Sequence, residues 1–256
     1  MHPAEQTEQR LTLSPVPAQD SAYWSFYARV ASAQLSEWLP ALPARVLDLS
    51  GCTAFAAQLV EAGHEVVHAV PGVHHRPAVP AGAGRLVSVV ADTRSLGWLG
   101  AASVDLVLAE SRLLSMCLAA EVTMDDLVRV LRPGGRLLLV VDSLALGLAQ
   151  LAGQGRWAEL ADVPSADVVL VPAEDGTMTR CFWPEELHDL LTGAGMTVDW
   201  VRPRSVLAPA TVERAMEQGG EAMLDTLVQT ELALAVDRQG ETTGLHLVAS
   251  ARLPPS

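Results

Sequence analysis

The 256-residue sequence contains no lysine, no isoleucine and no asparagine, and holds only 2 tyrosines and 3 phenylalanines. The missing residues are those with A/T-rich codons, which reads as the imprint of a very G+C-rich genome. The absences still remove chemistry. All 17 basic residues are arginine, so no lysine Schiff base, P-loop lysine or lysine general base is available. No asparagine is present for a catalytic or base-reading role. The three cysteines, Cys52, Cys117 and Cys181, are odd in number and far apart. That spacing fits neither a disulfide framework nor a metal site and reads as reduced thiols. Residues 1–10 lack an apolar stretch, which predicts no signal peptide. The most apolar segment, 137–151, is interrupted by Asp142, so no membrane-spanning run is expected. Together these features predict a cytoplasmic protein with no membrane partner.

What is present points to a well-packed chain. Half of the residues are hydrophobic and 18% are charged, enough to bury a large core. The formal net charge of −13 argues against a nucleic-acid partner, because neutralising phosphates requires a basic face. Residues 1–20 are polar, carry Pro3, Pro15 and Pro17, and read as a flexible tail. Residues 21–256 read as a single domain.

Within that domain the apolar pattern alternates. Tyr23, Phe26, Tyr27, Val30, Leu35 and Trp38 recur at helical spacing over residues 21–39, ahead of Pro40 and Pro43. Short, nearly all-apolar strands follow at 45–49 (RVLDL), 65–70 (EVVHAV), 85–90 (RLVSVV), 104–109 (VDLVLA) and 136–141 (RLLLVV). Helices are predicted at 53–62, closed by Gly63, and at 121–131, stopped by Pro133-Gly134-Gly135. This alternation predicts an α/β, doubly wound Rossmann-like fold with a mostly parallel sheet covered on both faces. Segment 151–182 breaks the rhythm, and Glu174-Asp175-Gly176-Thr177 between two apolar runs signals a hairpin. A helix at 184–194, strands at 196–201 and 245–251, and a helical stretch at 211–236 broken at Gly219-Gly220 complete the expectation.

Five segments carry a family resemblance. The first strand and turn read Val46-Leu47-Asp48-Leu49-Ser50-Gly51-Cys52-Thr53-Ala54, the third strand ends Val90-Ala91-Asp92-Thr93, and the fourth reads Val104-Asp105-Leu106-Val107. Leu131-Arg132-Pro133-Gly134-Gly135 enters the fifth strand, and Trp183-Pro184-Glu185-Glu186-Leu187 precedes a later helix. In this order they resemble the class I S-adenosylmethionine-dependent methyltransferases, over roughly residues 21–251. The resemblance implies a seven-stranded sheet, S-adenosylmethionine as cofactor and a small-molecule substrate. It places cofactor contacts at Asp48, Ser50, Gly51, Asp92, Thr93 and Glu110. The dinucleotide motif GxGxxG is absent.

The sequence also departs from the family. Ser50, Cys52 and Ala54 stand where it has turn glycines, and Val70, followed by Pro71, stands where it has a ribose-binding acid. Codon bias does not explain these losses, because glycine codons are G+C-rich. They motivate an alternative reading, a non-catalytic methyltransferase-like binding or partner subunit.

Candidate chemistry gathers after the fourth strand. Glu110 is the expected catalytic base or methionyl contact, against a plain helix-start acid. Arg112 is read as binding a substrate carboxylate or pairing with Glu110. Tyr23 and Tyr27 are expected to form a lid over cofactor and substrate, with the 151–182 insertion shaping the same pocket. Asp142 ends the fifth strand and faces the expected cleft, with capping of the following helix as its expected role. His64 and His68 are four residues apart on a strand, some 13 Å at about 3.3 Å per residue, too far to share a metal. Arg202 and Arg204, flanking Pro203 after a late strand, read as solvated by default, with anion binding as the alternative. A homodimer is left open.

Overall fold

The computed structural model describes residues 21–72, 83–173, 176–237 and 243–255. The predicted tail 1–20, the loop histidines His74 and His75, which the sequence offers as substitute donors for the missing ribose acid, and the hairpin-turn residues Glu174 and Asp175 lie outside them.

Strands β1 (Arg45–Asp48), β2 (Glu65–Val70), β3 (Arg85–Val90), β4 (Val104–Ala109) and β5 (Leu131–Ser143) lie parallel in the order β3-β2-β1-β4-β5. Beyond β5 the antiparallel β9 (His246–Arg252) and then β8 (Thr197–Arg204) close that side. These seven strands make the expected sheet. A hairpin, β6 (Val169–Pro172) and β7 (Met178–Phe182), brings the total to nine. Among the described residues it joins the rest of the sheet at Asp142 and Ser143, the last two residues of β5, past the point where β4 ends. The insertion therefore stands over the C-terminal edge of the sheet, where ligands of doubly wound folds bind.

Helices cover both faces. On one face α1 (Ala22–Trp38) and α2 (Thr53–Glu61) pack Leu35, Trp38, Leu59 and Val60 on Val46, Val66, Leu106, Leu108, Leu138, Val140 and Val248. On the other, α3 (Ala120–Val130) and α6 (Pro184–Gly193) bury Met124, Leu127, Leu187 and Leu191 on Leu47, Val107, Leu137, Leu139 and Ala249. The strand residues of the two lists alternate, as a two-residue period requires. Helices α4 (Leu144–Gly153) and α5 (Trp157–Asp162) lead into the hairpin. Helices α7 (Pro209–Gly219) and α8 (Glu221–Asp237) pack Val212, Leu224, Leu227 and Val228 against Tyr23, Phe26 and Val30 of α1. The break between them falls at Gly220, whose φ is 59°, a conformation glycine adopts without strain.

Several details differ from the sequence reading. Pro133-Gly134-Gly135 does not separate helix from strand; it lies inside β5 as an irregularity between Leu131 and Arg136, with the Gly134 N–H on the Leu253 carbonyl. A proline is tolerated there because the ladder is already interrupted. The cap of α4 is Ser143, whose Oγ accepts from Leu146 N, and not Asp142. Asp142 lies fully buried and points to other partners.

Candidate functional site

The two-residue period that builds the α1-side core ends, at the C-terminal edge of the sheet, in polar side chains. One step beyond Val46 is Asp48, beyond Val66 is His68, beyond Leu108 is Glu110, and beyond Val140 is Asp142. From the antiparallel partner, the step before Val248 is His246, and Arg204 lies in register with it. Every carboxylate in this layer has a cationic or imidazole partner. Asp48 Oδ2 lies 2.7 Å from His68 Nδ1, and both side chains are fully buried. Glu110 receives two hydrogen bonds of 2.7 Å from Arg204. Asp142 accepts from Arg112 Nη1 at 3.0 and 3.2 Å and lies 3.1 Å from His246 Nδ1.

The Glu110–Arg204 pair is sealed, each side chain about 1% exposed. Arg204 also donates to Gln34 Oε1 at 2.7 Å and to the Tyr27 hydroxyl at 3.2 Å. Burial works against its charge, but the Glu110 carboxylate and then Tyr27 more than offset this, so its pKa lies above the ordinary guanidinium value. Arg204, expected in solvent, is therefore a core residue. Glu110, expected as a base, has both oxygens occupied, and its partner is not Arg112. The signal for Arg204 was the alternation Trp200, Arg202, Arg204, which places all three on the covered face. Arg202 lies over the Trp200 ring at 4.3 Å.

Two non-glycine residues with left-handed backbone flank this layer, Arg112 at φ 55° and Ser205 at φ 62°. Such strain persists where surrounding contacts over-determine it and gathers at functional sites. The Ser205 hydroxyl accepts from the Tyr23 hydroxyl at 2.5 Å. The next two amides, Val206 and Leu207, donate to buried Glu231. Tyr23 is thus locked between α1 and the β8–α7 turn. Tyr27 is part-exposed, with its ring 5.5 Å edge-on from that of His246.

Next to this layer, over the ends of β1, β2 and β3, is a cleft of about 670 Å³, within the range of small-molecule sites. It brings together Ser50, Gly51, Asp92 and Thr93, four of the residues predicted to contact a cofactor, with Ala69, Pro71 and Ser111. Asp48 lies below it and holds the turn, accepting from Ser50 N at 2.8 Å; Ser50 Oγ in turn accepts from Cys52 N. Gly51 has φ 65°, and a Cβ built on it would meet nothing within 4 Å. The turn needs glycine for its backbone, and the space before it is open to a ligand. The α2 N-terminus that follows has no side-chain cap, leaving first-turn N–H groups available to an anion. At the far end, Asp92 is exposed and receives Arg94 on both oxygens; these bonds hold its carboxyl below the usual range. One expectation changes register: Val70 is fully buried in the core, and Pro71 and Ala69 face the cleft.

A second cavity of about 660 Å³ lies between α3 and α6. Its arginine, Arg180, is already held by Glu121 and Glu186, leaving no cation to receive an anionic ligand.

Solved structures share this architecture. A S-adenosylmethionine-dependent methyltransferase from Methanosarcina mazei is 14% identical with a TM-score of 0.55, covering 87% of this chain and 98% of its own. The Burkholderia thailandensis 1,6-didemethyltoxoflavin N1-methyltransferase, with 1,6-didemethyltoxoflavin and S-adenosylhomocysteine bound, is 19% identical with a TM-score of 0.54, covering 91% and 81%. The [4+2]-cyclase SpnF is 17% identical with a TM-score of 0.50, covering 90% and 82%. No family model and no curated protein matches the sequence. The chain has the Rossmann-like fold of the class I S-adenosylmethionine-dependent methyltransferases.

Proposed function

We propose that the protein is an S-adenosylmethionine-dependent methyltransferase acting on a small-molecule acceptor. The observation that carries this reading is the cleft at the strand ends, floored by the Ser50–Gly51 turn and bounded by Asp92 and Thr93. The residues present fit the cofactor at two of its parts. The Gly51 turn and the α2 N-terminus would hold the methionyl carboxylate, and Asp92 and Thr93 would receive the adenine. At the ribose end, Ala69 and Pro71 offer shape without a carboxylate. When bound, the cofactor supplies an electrophilic methyl group.

This chain's own residues do the rest. Asp48, fixed by His68, orients the turn. Glu110 and Arg204, with Tyr27, form a rigid wall, and Arg112 reaches from the segment after β4 towards Asp142. The charge of −13 favours a small molecule over a nucleic acid. The toxoflavin-type substrate of the Burkholderia neighbour is in keeping with an acceptor of that size.

A second reading, a non-catalytic binding subunit, is favoured by the missing ribose acid. The cyclase among the neighbours supports keeping the fold apart from methyl transfer. Calorimetric titration with S-adenosylmethionine decides between them. Saturable one-site binding supports the first reading. No heat and no thermal shift at millimolar cofactor would overturn it.

A further inference from the structure

Two groups around Asp142 are left unused by the contacts described so far. His246 Nδ1 is 3.1 Å from Asp142 Oδ1. With that carboxylate as acceptor, Nδ1 is the donor, and the neutral ring in this tautomer has its lone pair at Nε2. Nε2 has no partner among the described residues, and the side chain is 9% exposed, against 0% for that of His68. The edge-on Tyr27 ring fixes the imidazole plane. Arg112 is bound to Asp142 through Nη1 alone, and its side chain is 41% exposed. Its Nε and Nη2 donors, the fork that matches a carboxylate, have no partner among the described residues. Ser111, the residue before it, lines the cofactor cleft. Arg112 combines a left-handed φ of 55° with the ion pair to Asp142.

We infer that His246, Asp142 and Arg112 form the acceptor site, built for a small hydroxylated carboxylic acid. The acid's carboxylate sits on the open edge of Arg112, and its hydroxyl faces His246 Nε2. In the proton step the O–H bond breaks, an N–H bond forms at Nε2, and the electron pair stays on oxygen as the nucleophile. Asp142 stabilises the resulting imidazolium through Nδ1. The charged and titratable groups around His246 are Asp142 on β5, Tyr27 on α1, Arg204 on β8 with its partner Glu110, and Arg112. Glu110 is neutralised by Arg204, which leaves Asp142 as the carboxylate in contact with the ring. This assignment rests on the methyltransferase reading for the use of the nucleophile, but the site's recognition of the acid is independent of it.

The test is 15N NMR of the full chain labelled in its histidines, with the His246 signals identified by their loss in His246→Gln. The protein is titrated with 4-hydroxybenzoate, and in parallel with benzoate and with phenol. Before titration, the His246 ring shows the Nδ1–H tautomer. On titration, 4-hydroxybenzoate shifts its Nε2 resonance saturably, and the two half-ligands bind more weakly. Arg112→Gln, at a part-exposed position, weakens binding of the acid about tenfold, as expected for losing one charge-assisted contact. An unmoved His246 signal, an equal response to benzoate, or unchanged affinity in Arg112→Gln would each overturn the inference. Cofactor calorimetry is read separately. Cofactor binding without a His246 response removes this inference alone, and a His246 response without cofactor binding removes the methyltransferase reading alone.

Discussion

Glu110 and Arg204, 94 residues apart in sequence, meet in a two-pronged ion pair with both hydrogen bonds at 2.7 Å and both side chains sealed from solvent. The pair ties the end of β4 to the end of β8 beneath α1. Removing one partner leaves a buried, uncompensated charge, which typically costs about 3–5 kcal/mol. Arg204→Met is therefore expected to lower the urea midpoint sharply at unchanged m-value. The double variant Arg204→Met/Glu110→Leu is expected to recover most of the loss. Equal losses in the single and double variants would show that packing, and not the stranded charge, sets the cost.

The Gly51 backbone predicts a separation of stability from binding. A side chain at φ 65° costs roughly 1–2 kcal/mol. The open space before it means that Gly51→Val also projects into the cleft. Urea denaturation should show the modest loss, and calorimetry should show a far larger loss of S-adenosylmethionine affinity. A proportionate fall in both would place the cofactor elsewhere.

At the end of β2, neighbouring positions should respond in opposite ways. Val70 is fully buried, whereas Pro71 faces the cleft. A carboxylate at 70 enters the core and is strongly destabilising. One at 71 supplies the missing acceptor for a ribose diol. Pro71→Asp is expected to tighten S-adenosylmethionine binding about tenfold, the worth of one charged hydrogen bond. Val70→Asp is expected to lower the thermal midpoint without any gain in affinity.

The contrast between these two residues shows how far the sequence could be read. The apolar runs and the glycine and proline punctuation fixed the order of strands and helices, because burial on both faces leaves a mark on each strand by itself. The one-residue shift at Val70 was not visible, since β2 runs two residues past its last partner on β1 and no local pattern marks which of them faces the cleft. Ser50, Gly51, Asp92 and Thr93 were legible as one cluster through the family resemblance, which puts each just after a strand end. The pairings were not legible. Glu110 with Arg204, and Asp142 with His246, join residues about a hundred positions apart, and no local pattern announces them. His246 was missed although the alternation with Val248 pointed it to the covered face.

Cys181 gives the account a pH signature. Burial, and then the Asp142 carboxylate, push its thiol up to about 12, against roughly 8.5 in an unfolded chain. The raised value means that its contribution to stability is complete below the unfolded pKa and is lost as pH rises towards the folded one. Stability should therefore decline through this alkaline window, and Cys181→Ala should flatten part of the decline. Tyr23 and Tyr27, whose hydroxyls burial also raises, account for the remainder. In the native protein at neutral pH a thiol reagent should label part-exposed Cys52 and leave Cys181 untouched until unfolding.

The central claim is that the cleft floored by Ser50 and Gly51 is a cofactor site. Isothermal calorimetry of the full chain with S-adenosylmethionine, run beside Gly51→Val, tests it most directly. The account predicts saturable binding at one site per chain in the wild type and its loss in a variant that remains folded. Absence of heat at millimolar cofactor, or undiminished binding in Gly51→Val, would contradict it.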